Sequence, residues 1–255
     1  MNPTLDDWCG KHVWIIGAST GIGAAVARLL LEQGAFVALS ARRQPLLDAM
    51  TLGEAQALAV SLDVTDHASI VRAHGRIAAE WPRVDLVLVV AGGYNEMRAD
   101  SFDLAAANRM IDLNLRGVYN CLDVVLPLLL RQGAGGIGIV SSVAGYGGLP
   151  KALAYGPTKA ALINLCESLY FDLHPKGIAV YQINPGFVDT PLTVHNDFAM
   201  PALMSPRDAA WQLLRGIERG QFHIHFPKRF TNLLRLMRLL PYRGYFWLVR
   251  KVTGL

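Results

Sequence analysis

Seven short apolar runs rich in β-branched residues alternate along the chain with longer segments whose apolar positions follow a helical period. The runs are His12–Gly17, Phe36–Ser40, Ala57–Leu62, Asp85–Ala91, Ile137–Ser141, Ile178–Ile183 and Phe222–Phe226. Near-continuous apolarity of this kind marks strands covered on both faces. The segments between them, Gly21–Gln33, Pro45–Leu52, Asp66–Trp81, Ser101–Arg131, Ala154–His174 and Pro206–Arg219, read as helices. Together they predict an α/β fold: one doubly wound domain with a seven-stranded, mostly parallel sheet, right-handed crossovers and helices on both faces. No internal repeat or second domain interrupts the pattern. Residues 185–204, rich in Pro, Asn, Asp and Thr, follow the sixth strand and read as a lid at the carboxyl end of the sheet.

After Phe226 the pattern changes. In Phe230–Leu240, one helical face holds Phe230, Leu233, Leu234, Met237 and Leu240 and the other Thr231, Arg235 and Arg238, an amphipathic helix that Pro241 ends. Tyr242–Leu248 then sets Tyr242, Tyr245, Phe246 and Trp247 near Arg243, Arg250 and Lys251. The chain divides accordingly into a body, 1–226, and an extension, 227–255.

Charge divides in the same place. The formal net charge is +4, from 24 basic and 20 acidic residues, but residues 226–255 contain seven of the bases and no acid. The first 225 residues therefore carry 17 bases against 20 acids, which argues against a uniformly basic nucleic-acid binder. The extension has two readings: helices lying in a membrane interface against anionic headgroups, or a helical appendage packed on its own subunit or a dimer mate.

A hydrophobic content of 52% excludes disorder, and three widely spaced cysteines, Cys9, Cys121 and Cys166, suit neither a disulfide framework nor a zinc site. Buried thiols in a reducing cytoplasm are the expectation. Met1–Asp7 has no apolar signal-peptide core, and the longest apolar stretch, Leu122–Leu130, is too short to span a bilayer.

The first strand runs into Gly17-Ala18-Ser19-Thr20-Gly21-Ile22-Gly23 and then a helix. Glycines there let the backbone turn tightly against a pyrophosphate, whose charge sits at the helix N-terminus. Gly-rich turns also close ordinary strand-to-helix loops, so the nucleotide reading needs support from the second strand. That strand ends in Ala41-Arg42-Arg43, where an acid would accept a free ribose 2′-hydroxyl. Two guanidinium forks suit a 2′-phosphate instead, which points to NADP(H), unless they merely open a solvated loop. Asp63-Val64, after the third strand, lies where an adenine edge is read or a helix is capped.

Ser142 follows the fifth strand, and Tyr155 opens the next helix with Lys159 one turn later. A cation held beside a phenol favours the phenolate and brings it toward the range useful for proton transfer. A serine hydroxyl can hold a substrate oxygen as its charge changes during hydride transfer.

Taken in order, these residues resemble the short-chain dehydrogenase/reductase family over roughly residues 9–226. The chain carries the Gly-x-x-x-Gly-x-Gly of that family as Gly17, Gly21 and Gly23, together with Asp63 and the helix asparagine Asn114. Ser142, Tyr155-x-x-x-Lys159 and the turn Asn184-Pro185-Gly186-Phe187-Val188-Asp189-Thr190 follow. The resemblance implies a Rossmann-type domain and a tetrad. Tyr155 would be the general acid/base, Lys159 would lower its pKa and bind the nicotinamide ribose, Ser142 would position substrate and Asn114 would anchor a relay water. It also places Ser19, Thr20 and Ile22 with the glycines at the cofactor, Ala91 and Gly92 beneath the adenine ribose, and Pro185, Gly186, Val188 and Thr190 toward the nicotinamide. It implies a homodimer or tetramer paired through the helices about 105–131 and 154–174. The family's Asn-Asn-Ala-Gly is here Val89-Val90-Ala91-Gly92, which puts local packing rather than chemistry in question, and Thr158 stands where a serine is usual.

The lining expected for substrate, Val143, Tyr146, Leu149, Phe187, Leu192, Phe198 and Met200, is apolar and favours a lipophilic carbonyl compound or alcohol. His195 reads as a solvated loop residue or a polar contact. His223 and His225 share one strand face without a third ligand, so no metal is expected. The alternative class is a catalytically silent NADPH-binding or membrane-associated protein on the same fold.

Overall fold

The computed structural model describes residues 1–5, 7–194 and 200–253. Seven strands, β1 (His12–Ile16), β2 (Phe36–Ser40), β3 (Ala57–Ala59), β4 (Leu86–Val89), β5 (Gly136–Val140), β6 (Ala179–Pro185) and β7 (His223–Phe226), form one sheet in the order β3-β2-β1-β4-β5-β6-β7. Every pairing is parallel, so every connection is a crossover. The order reverses between β1 and β4, and a crevice opens there at the carboxyl ends of the strands.

The helices are α1 (Gly21–Glu32), α2 (Gln44–Thr51), α3 (His67–Glu80), α4 (Leu104–Ile111), α5 (Gly117–Gln132), α6 (Tyr155–Leu173), α7 (Pro206–Glu218), α8 (Lys228–Met237) and α9 (Tyr242–Thr253). Alternation along β1 builds both halves of the core. Val13 and Ile15 pack with α1, α2 and α7, and Trp14 and Ile16 pack with α3, α5 and α6. The buried Trp14 indole donates to Ser40 Oγ at 2.9 Å, a pairing whose loss would cost about 1–3 kcal/mol of desolvation.

Three expectations from the pattern are corrected. The helix expected over Ser101–Arg131 is two helices joined by a π turn, Asp112–Arg116. Asn114 in that turn is drawn onto Gly93, and the inserted residue is how the helix accommodates the contact. The run Leu104–Gln132 is long and apolar enough to cross a membrane by length and composition, but it buries Val118, Cys121, Leu122, Val125 and Leu129 against the sheet side. Second, β3 stops at Ala59 rather than Leu62, although Val60 and Leu62 still donate backbone bonds to Leu39 and Ala41 at 2.9 and 3.1 Å. Third, Thr231 belongs to an inward face: it is fully buried and accepts from His225 Nδ1 at 2.6 Å. Arg235 donates to Nε2 of the same imidazole at 3.3 Å. Thr231 of the polar stripe therefore packs on β7, while Arg235 and Arg238 of the same stripe stay exposed.

Val89 and Val90, at the end of β4 where the resemblance leads one to expect asparagines, leave the backbone pairing intact. Val90 and Ala91 N–H both donate to Ile16 O, at 2.8 and 2.9 Å.

Candidate active site

Gly17 leaves β1 at φ +102°, and a Cβ there would collide with the backbone of Val90 and Ala91. That absence of a side chain lets the turn close onto the end of β4. Thr20 precedes α1 in extended conformation and makes no side-chain cap, so the first N–H groups of the helix face the crevice without a side-chain acceptor. Gly17, Ser19, Thr20, Gly21 and Ile22 all line one cavity of about 950 Å³ at the switch point. Gly23, expected with them, does not line it. It is buried against the Gly17 carbonyl and serves the close packing of α1 on β1.

Arg42 and Arg43 stand exposed at the end of β2 on the rim of the same cavity, and Arg43 Nη2 donates to Ser19 Oγ at 3.2 Å. Asp63 and Val64 also line it. Asp63 Oδ1 accepts from Thr65 N–H at 2.9 Å and from its hydroxyl at 2.8 Å, so Asp63 shapes its own loop rather than capping α3. Asn120 holds the Val64 carbonyl at 2.9 Å, a contact the sequence pattern did not reveal.

Ser142, Tyr155 and Lys159 meet in that cavity, between its Ala91–Gly92 floor and its Pro185, Gly186, Val188 and Thr190 wall. Ser142 leaves β5 in extended conformation and its Oγ accepts from Ala144 N–H at 3.1 Å. Ser142 lies beside the Tyr155 phenol and acts to lower its pKa. Lys159 is buried, its Nζ 5.7 Å from the Tyr155 ring centre, and it donates to Val140 O at 3.0 Å. Ser141 Oγ ties β5 to α6 through Lys159 O at 2.7 Å.

Asn114 is fully buried and reaches this centre from behind. Its Oδ1 accepts from Gly93 N–H at 2.7 Å, and its Nδ2 donates to Gly93 O at 2.9 Å and Thr158 Oγ1 at 3.3 Å. Thr158 in turn donates to Tyr155 O at 2.7 Å. The asparagine side chain is thus fully engaged in holding the loop after β4 against the first turn of α6, and it does not line the cavity.

Burial pushes Tyr155 up to about 12, partly offset by Ser142, and burial pulls Lys159 down to about 8. Tyr94, absent from the sequence reading, stands edge-on to Tyr155 with ring centres 5.2 Å apart. Its position just past Gly92-Gly93 at the carboxyl end of β4 was the available signal.

A family model described as short chain dehydrogenase matches residues 11–199 of the chain. The chain belongs to the short chain dehydrogenase family.

An uncharacterized oxidoreductase of Myxococcus xanthus is 36% identical over 232 residues, covering 89% of this chain and 91% of the relative. A cis-4-hydroxycyclohexanecarboxylate dehydrogenase of Sinomonas cyclohexanicum is 37% identical over 206 residues, 79% of this chain and 82% of that one. A solved short chain dehydrogenase of Burkholderia cenocepacia, in complex with NADP, matches with TM-score 0.84 over 95% of this chain and 98% of that one. At 22% identity this last likeness speaks to the fold. As a short chain dehydrogenase, the protein is an oxidoreductase of CH–OH/C=O groups that uses a nicotinamide nucleotide.

Beyond the stretch matched by the short chain dehydrogenase model, the chain supplies much of the cavity's far end. Phe230, Leu233, Leu234 and Met237 of α8 and Val249 and Val252 of α9 line it opposite Val143, Leu149, Phe187, Leu192 and Met200. The extension is held there by Tyr245, whose phenol donates to Gly148 O at 2.9 Å, and by a small cluster of Met237, Tyr245 and Val249. Gly147 lies under this contact, where an added Cβ would stand 2.7 Å from the Tyr245 oxygen and force that side chain to shift. Two cations, Arg98 and Lys151, also reach the cavity, with Glu96 3.1 Å from Lys151.

Tyr146 does not join this lining. Its phenol hydrogen-bonds to His223 Nε2 at 2.8 Å and faces a separate hollow of about 690 Å³ between α6, β7 and α8. Burial, with Arg235 and Lys228 nearby, lowers His223 to about 4, so its neutral ring accepts from the phenol. His195 and Phe198 lie outside the described residues.

Proposed function

We propose that the protein is an NADP(H)-dependent oxidoreductase that interconverts a carbonyl group and a secondary alcohol on a substrate with a largely apolar body. The observation that carries the reading is the convergence of Ser142, Tyr155 and Lys159 in the cavity that also holds the glycine turn and, at its rim, Arg42 and Arg43. The fit to a phosphorylated dinucleotide rests on three features. They are the uncapped α1 N-terminus, the side-chain-free approach at Gly17 and the guanidinium pair beyond Ser19. When bound, the nucleotide supplies or accepts the hydride.

The residues of the chain handle the oxygen and its proton. Ser142 Oγ and the Tyr155 phenol, both lining the cavity, are placed to hold one substrate oxygen between them. Held protonated near neutral pH, the phenol gives its proton to the carbonyl oxygen as negative charge builds there, and recovers it in the reverse direction. Lys159 supports the phenolate while its ammonium persists and is placed to hold a ribose hydroxyl. Asn114 fixes the Gly93 and Thr158 contacts around this pair. Its place in the π turn behind the reaction centre is where we assign the anchoring of a relay water. The apolar walls given by α8 and α9 support a lipophilic substrate, and the exposed Ile111, Tyr119 and Phe171 on α4–α6 support pairing of two copies through those helices.

The test is Tyr155→Phe. Turnover of a panel of lipophilic ketones with NADPH should fall by about three orders of magnitude or more, with NADPH affinity, read by fluorescence, unchanged within about threefold. Turnover at the parent rate would end the assignment of Tyr155.

A further inference from the structure

We propose that the outward face of α9, together with the turn that joins it to α8, seats the protein on an anionic lipid surface. The inference concerns a face away from the reaction centre and does not depend on the oxidoreductase reading.

α9 has two unlike faces. Tyr245 and Val249 are buried against Met237, with Leu248 packed beside them, and Val252 looks into the cavity. Roughly opposite stand Arg243, Phe246, Trp247, Arg250 and Lys251, all exposed, with Tyr242 at the near edge. Phe246 and Trp247 are 53% and 63% exposed, and Leu239 in the preceding turn is 80% exposed. Packing against the body therefore uses one face of the helix and leaves a second face that is both aromatic and basic. The aromatic groups on that face are ordered among themselves: Tyr242 stacks on Phe246 at 5.7 Å, and Lys251 Nζ sits 5.0 Å over the Trp247 ring.

Charge selects the occupant. Residues 226–255 hold seven bases and no acid, so a two-fold contact of this face with a second copy would oppose like charges across the interface. A bilayer carrying anionic headgroups complements the bases and takes Trp, Tyr and Phe rings at headgroup depth. Leu239 and Leu240 extend the apolar contact at the turn, next to Pro241.

The experiment is flotation of the full chain with vesicles of phosphatidylcholine alone and with vesicles of equal parts phosphatidylcholine and phosphatidylglycerol. Two variants accompany it: Phe246→Ala with Trp247→Ala, and Arg243→Glu with Arg250→Glu and Lys251→Glu. All five side chains are exposed, so the melting temperature should hold, and the second variant decides if the first misfolds. The parent should float with the anionic vesicles, fail to float with phosphatidylcholine alone, and release as salt rises from about 0.05 to 0.5 M. Each base near the surface is worth about fivefold in partition, so losing three should cut binding roughly a hundredfold or more. Absence of flotation with anionic vesicles at low salt overturns the proposal, as does flotation of both folded variants at the parent level. A parent dimer that Phe246→Ala with Trp247→Ala splits, without vesicle binding, would reassign the face to a subunit contact.

Discussion

If Arg42 and Arg43 read a 2′-phosphate as proposed, replacing both by alanine should weaken NADPH selectively. Both guanidinium groups are exposed at the end of β2, and Arg43 is tethered to Ser19 in the glycine turn. A 2′-phosphate delivered there by the turn would meet one or both forks. A hydrogen bond to a charged group contributes about 1.5–3 kcal/mol, and exposure to solvent argues for the low end. Two such contacts at about 1.5 kcal/mol each make about 3 kcal/mol, or roughly a hundredfold in kcat/KM for NADPH. NADH lacks the phosphate, so its kcat/KM should change by less than about threefold. Steady-state kinetics of the parent, the two single variants and the double variant with both nucleotides give the ratio directly. Arg43→Lys adds a check, because it keeps the charge but loses the fork and should recover only part of the loss. A parallel fall with both nucleotides would mean that the arginines support the turn rather than read a phosphate, and the NADP(H) assignment would fail.

Other expectations follow from single contacts. Lys159 keeps its ammonium below about pH 8, so kcat/KM should hold to that pH and decline above it; a profile flat through that value would show that the charge is not needed. Gly17→Ala forces a side chain into the Val90–Ala91 backbone at a φ of +102° and should abolish nucleotide binding in a titration, whereas parent-like binding would refute the close approach. Gly147→Ala pushes on Tyr245 and should raise KM for substrate with little change in KM for NADPH; equal effects on both would place the α9 contact elsewhere than the substrate end. Thr231→Val removes the acceptor of the buried His225 Nδ1–H and should cost about 1–3 kcal/mol in urea unfolding, with a cost under about 0.5 kcal/mol counting against the inward reading of that face.

Much of the candidate site was legible because it is written in short-range spacing. A glycine turn between a strand and a helix, and a tyrosine one helical turn before a lysine, keep their geometry wherever the chain folds. Contacts between distant segments were not legible. Tyr94 reaches Tyr155 across about sixty positions, Asn120 reaches Val64 across 56, and Asn114 grips both Gly93 and Thr158. Ser142 and Tyr146 follow the same strand four positions apart, yet one enters the cavity and the other turns to His223. Nothing local distinguishes them.

The C-terminal extension marks the boundary most clearly. Its amphipathic period and its charge were fixed by residue order alone, since both are sums over neighbours along a helix. Which stripe would be buried was not, because burial depends on what the helix meets. Thr231 of the polar stripe of α8 meets the imidazole of His225 and is buried while Arg238 stays exposed, the apolar stripe walls a cavity, and α9 buries Tyr245 and Val249 while leaving Phe246 and Trp247 outside. Folding turned a basic appendage into part of the cavity wall, by bringing residues about a hundred positions apart, Tyr245 and Gly148, within 2.9 Å of each other.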